Sequence, residues 1–86
     1  MTPHRLSKDQ QVYADALTET STALGLIGQF IPGHRHDKFV VILPDGSEVL
    51  LPVFKTPRCD AESYAVRLKG QLRGTIHRNL QRRGLV

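Results

Sequence analysis

Eighty-six residues make one domain, with a modest core and room only for a shallow site built from few side chains. Hydrophobic residues are 40% and charged residues 23% of the chain, a globular balance, and the longest apolar run, Phe39 to Leu43, is too short to span a bilayer. The net charge of +4 hides an asymmetry: after Glu62 there is no acidic residue, while Arg67, Lys69, Arg73, Arg78, Arg82 and Arg83 follow. A solvated face accounts better for mixed signs than for a run of one sign. The run points to a polyanionic partner, RNA first, because the planar guanidinium fork matches phosphate oxygens.

In chain order, Met1-Thr2-Pro3-His4-Arg5 leads into no apolar core, so no secretion signal is predicted. The single Cys59 forms no internal disulfide, and both observations fit a cytoplasmic protein. Residues 1–6 read as a flexible arm of a single domain, 1–86. Ser7-Lys8-Asp9-Gln10 has the form of a capping box and predicts a helix start. Val12, Tyr13, Ala16, Leu17, Thr20, Ala23 and Leu24 recur at helical spacing, and Gly25 offers a stop.

Three strands are predicted next: Leu26 to Ile31, Lys38 to Leu43 and Glu48 to Val53. Pro44-Asp45-Gly46 is a turn with a mechanism: Pro presets φ, Asp bonds the local backbone, and Gly accepts positive φ. Pro52 points to an edge position or an early end for the third strand. Lys55-Thr56-Pro57-Arg58 reads as a loop. From Asp60, the residues Ala61, Tyr64, Ala65, Leu68 and Leu72 mark an amphipathic helix. Gly70 and Gly74 predict a break, with a last helix from Thr75 that turns Ile76 and Leu80 to the core and ends before Gly84. The expected class is α+β, in the order α-β-β-β-α, with helices on one face of an antiparallel three-stranded sheet.

The stretch Gly33-His34-Arg35-His36-Asp37-Lys38 gathers two imidazoles, an arginine and a lysine where a strand opens. Cleavage of RNA by its own 2′-hydroxyl needs a base, an acid and cations around the charged phosphorane, and histidine exchanges protons near neutral pH. An exposed polar hairpin turn accounts for the same residues. His34-x-His36 also permits both rings to reach one ion, but a zinc site needs further ligands, and His4, His77 and Cys59 lie at no recognisable spacing. No metal site and no cofactor is expected. Asp60 and Glu62 fit the first turn of a helix rather than a catalytic pair, and Tyr13 and Tyr64 fall on apolar faces.

Two segments together resemble the HicA-type mRNA interferase toxins. The C-terminal run Arg73-Gly74-Thr75-Ile76-His77-Arg78, continuing to Gly84-Leu85, is similar to the family's basic residue, Gly-Thr-Leu-Arg, short helix and final Gly-Leu. Gly33-His34-Arg35-His36-Asp37-Lys38-Phe39 looks like the family's Gly-Ser-His-x-x-Phe turn with one extra residue, and anchoring on Phe39 puts the family histidine at His36. Val49-Leu50-Leu51-Pro52 is similar to the family's Val-x-Val-Pro strand. The resemblance covers roughly Leu24 to Leu85, and the extra residue leaves His34 as the other candidate. It implies a double-stranded-RNA-binding-like fold, metal-independent ribonuclease activity with a histidine acid/base, and an antitoxin partner that covers the histidine. The chain departs from the family in residues 54 to 72, which predict an added helix.

The expected function is therefore an RNA-binding, toxin-like ribonuclease. His36 or His34 would transfer the proton, with Arg35, Lys38, Arg67, Lys69, Arg73, Arg78, Arg82 and Arg83 binding nucleic acid. The alternative is a non-catalytic nucleic-acid-binding or protein-interaction accessory protein on the same fold.

Overall fold

The protein is described by a computed structural model over residues 6–55 and 57–85. The arm expected over residues 1–6 lies, Leu6 apart, outside the described residues. The element order is α1 (Lys8–Ala23), β1 (Ile27–Ile31), β2 (Asp37–Ile42), β3 (Glu48–Val53) and α2 (Ala61–Arg82). The three strands form an antiparallel sheet in the order β1-β2-β3, as expected.

Helix α1 begins where the capping box places it. Ser7 Oγ accepts from the Gln10 N–H, and the Gln10 side chain accepts from the Ser7 N–H at 2.8 Å. It ends in a Schellman turn: Gly25, at φ 73°, donates to the Thr22 carbonyl, and Leu26 donates to the Ser21 carbonyl. Leu26 therefore closes the helix instead of opening the strand. The buried face of α1 is Tyr13, Ala14, Leu17, Thr20 and Ser21, so Ala23 and Leu24 turn out to solvent.

Successive strand residues alternate between two faces. Phe39 and Val41 of β2, with Val49, Leu51 and Val53 of β3, meet Tyr13 and Leu17 of α1 and Tyr64, Leu68, Leu72 and Ile76 of α2 in one core. Both helices cover this face, α1 over β1 and α2 over β3, and pack on each other. Among the described residues, no element covers the opposite face. There Ile31, Lys38 and Pro52 form one row, Gln29, Val40 and Leu50 the next, and Ile27, Ile42 and Glu48 the last.

Helix α2 corrects the expected break. It runs without interruption from Ala61 to Arg82, and Thr75 sits inside it rather than at a cap. A helical glycine costs about 1 kcal/mol relative to alanine. Burying Leu68, Leu72 and Ile76 contributes roughly 1.5–3 kcal/mol each, and that apolar row passes through both glycines without a shift of phase. Residues 54 to 72 accordingly add no separate helix; they supply a connecting loop and the first half of α2. Asp60 is its N-cap, accepting from the Ser63 N–H at 3.1 Å.

Three contacts fix the polarity of the molecule. Gln10 near the start of α1 bonds Asp37 at the start of β2, and the Phe54 N–H donates to Tyr64 Oη in the first turn of α2. Arg83, past the end of α2, reaches Asp45 in the β2–β3 turn at 3.5 Å. The two helices thus run parallel, both starting at the end that holds the β1–β2 turn.

Candidate nucleic-acid interface

The β1–β2 turn, residues 32–36, is held from below. Gly33 approaches the His36 carbonyl so closely that a β-carbon would collide with it. Its N–H donates to Asp37 Oδ1 at 3.0 Å. The Asp37 side chain is fully buried and also accepts from Gln10 Nε2 at 3.0 Å and faces Lys55 Nζ at 3.4 Å. Burial alone would raise its pKa. The bonds from Gln10 and Gly33, together with Lys55, outweigh that and hold it below its ordinary value. One carboxylate therefore ties α1, the turn and the end of β3 together.

Above it, His34, Arg35 and His36 are all exposed. The His36 ring meets the Phe54 ring edge-on, with centroids 5.6 Å apart. Phe54 is itself anchored through its N–H to Tyr64 Oη at 2.8 Å. Lys38 is one strand step further on and projects from the open face between Ile31 and Pro52. Among the described residues, no carboxylate hydrogen-bonds either imidazole, because Asp37 points to the opposite side, into the core. No third metal-ligating side chain joins the pair there either. What the turn offers chemically is two solvent-facing imidazoles, one steadied by an aromatic ring, with Arg35 between them in the chain and Lys38 two residues beyond His36.

The remaining basic residues line α2. At 3.6 residues per turn, Arg67, Arg78 and Arg82 fall on one flank of the buried row and Lys69 and Arg73 on the other. Arg83 is engaged with Asp45. Helix α2 is about 33 Å long at 1.5 Å per residue, and Arg78 lies about 25 Å along it from Ala61. The structure therefore brings His34, Arg35, His36 and Lys38 together at one end, with Arg67 and Lys69 on the helix half nearest to them. It puts Arg78, Arg82 and Arg83 at the other end and Arg73 between.

A hollow of ≈ 280 Å³ lies at the start of α1, lined by Ser7, Asp9, Gln10, Tyr13 and Lys55. Tyr13 packs edge-on against Tyr64 at 5.1 Å, and its buried hydroxyl has no hydrogen-bond partner among the described residues. Burial pushes its pKa up, and the Asp9 carboxylate adds to the effect.

Sequence reasoning passed over Asp37, Gln10 as its partner, Lys55 and Phe54. The alternation Asp37, Phe39, Val41, Leu43 continues one buried face and carried the signal for Asp37. The others are brought in from distant positions. Compared with family models, curated proteins and solved structures, the chain finds no match. The likeness to HicA-type toxins rests on the short motifs quoted above and on the order of elements.

Proposed function

We propose that the protein binds RNA along α2 and is a toxin-like ribonuclease whose cleaving end is the His34–His36 turn. One observation carries the binding: among the described residues, Arg67, Lys69, Arg73, Arg78 and Arg82 face no carboxylate within ion-pair distance, so their charge is free for phosphate. His36 is the residue we assign to proton transfer, independent of metal, with Arg35 and Lys38 stabilising the charged phosphorane. An antitoxin that covers this turn would silence it, in the cytoplasm.

A second reading, a non-catalytic RNA-binding or protein-interaction module, has its own support. Among the described residues no carboxylate hydrogen-bonds His34 or His36, and Arg78, Arg82 and Arg83 lie at the far end of α2. Induction of the wild type and of His36→Ala in cells, followed by inspection of total RNA, separates the two. Cleavage by the wild type that falls roughly 10²–10⁴-fold in the variant supports the enzyme. Binding without cleavage supports the module. In either case Arg73→Glu with Arg78→Glu lowers the salt slope of RNA binding by about 2, one per phosphate contact. An unchanged affinity in that double variant removes α2 as the interface.

A further inference from the structure

We propose that the edge of β1, unpaired among the described residues, pairs antiparallel with β1 of a second copy, making a symmetric dimer with a six-stranded sheet. The two edges of the sheet are built differently. The β3 edge carries Glu48 and Pro52, a charge and a missing N–H, the usual devices that stop a strand from pairing further. The β1 edge, Ile27-Gly28-Gln29-Phe30-Ile31, has no charge and no proline, and Ile27 is 76% exposed. An edge left open on one side only gives a closed pair instead of a growing ribbon.

The β1 sequence is complementary to itself about Gln29. In the antiparallel register centred there, Ile27 stands opposite Ile31 of the second copy on the open face. On the helix face, Gly28 stands opposite Phe30 of the second copy, a small residue against a large one. Both matches occur twice across the two-fold axis. Gly28 is there for its own fold as well, since a β-carbon would overlap the Phe39 ring and Ser21 Oγ.

The ends of the ladder agree in charge. Antiparallel pairing brings the His34–Arg35 turn of one copy beside the α1–β1 corner of the other. That corner is the carbonyl end of α1, which has no basic residue in its last turn to offset its partial negative charge. The same corner exposes Leu24 at 47% next to Ile27, apolar surface that the pairing covers.

Analytical ultracentrifugation of four samples tests the dimer: wild type, Gln29→Glu, Gln29→Lys, and an equimolar mixture of the two variants. Gln29 is exposed, so both variants keep the fold, which far-UV circular dichroism checks. The wild type is expected at about twice 9.6 kDa. Each variant, with like charges opposed across the axis, is expected as a single chain, and the mixture as a restored dimer. A wild type that stays a single chain at every concentration overturns the proposal. So do variants that remain dimeric, or a mixture of folded variants that does not recombine.

Discussion

Asp37→Asn probes the carboxylate on which the histidine turn rests. The side chain is fully buried and has two near-ideal donors at 3.0 Å, the Gln10 amide and the Gly33 N–H. Asparagine has one oxygen to offer and must turn its NH₂ toward the other donor. The Gln10 amide cannot flip to relieve this, because its oxygen already accepts from the Ser7 N–H at 2.8 Å. A buried donor left unpaired costs about 1–3 kcal/mol. Losing the pairing with Lys55, whose side chain is 38% exposed and so screened, adds less than about 1 kcal/mol. The sum, about 1–4 kcal/mol with a middle value of about 2, compares with the roughly 4–13 kcal/mol expected at 0.05–0.15 kcal/mol per residue. In urea, with a slope of about 1 kcal/mol/M for so small a protein, the midpoint falls by about 2 M. The pH dependence has a definite sign. The folded pKa of Asp37 is lowered, so its stabilisation is present above the unfolded value of about 4 and lost as pH falls through the folded pKa. The gap between wild type and variant therefore narrows on acidification. A loss under about 0.5 kcal/mol at pH 7, or a gap that widens in acid, would refute the assignment of an ionised, three-partner carboxylate.

Gly28→Ala forces a β-carbon into the Phe39 ring and Ser21 Oγ, and a thermal melt should show about 1–3 kcal/mol of destabilisation. Gly70→Ala meets open space on an exposed helical turn and should raise stability by about 0.5–1 kcal/mol; a loss would mean that α2 does have a break there. Tyr13→Phe removes a buried hydroxyl without a partner among the described residues and should leave stability unchanged or up to about 1 kcal/mol higher. A clear drop in urea denaturation would reveal a bond to that hydroxyl.

What was legible in the sequence was local. Ser7 and Gln10 cap one turn, Pro44-Asp45-Gly46 closes one hairpin, and alternation along 38 to 43 faces one core, so each could be read within a few residues. The continuity of α2 was misread because glycine propensity was weighed without the solvent-facing position of Gly70 and Gly74, where only the apolar row decides. The histidine turn could be located, but not its support. Asp37 stands in a polar run, and its partners come from positions 27 residues earlier and 18 later in the chain, a convergence no local pattern encodes. The basic residues could be counted but not placed, since two flanks and two ends of one helix look alike in a charge tally.

Gln10 spends its amide twice, oxygen to the helix start and nitrogen to the hairpin. At this third helical position glutamate serves a capping box as well as glutamine does. Here it would set a second carboxylate against Asp37, so an interchangeable pair of residues becomes an exclusive choice. The closing residue of the first turn of α1 makes both of its bonds within the protein only when the start of β2 is in place, so one side chain serves the helix start and the hairpin together.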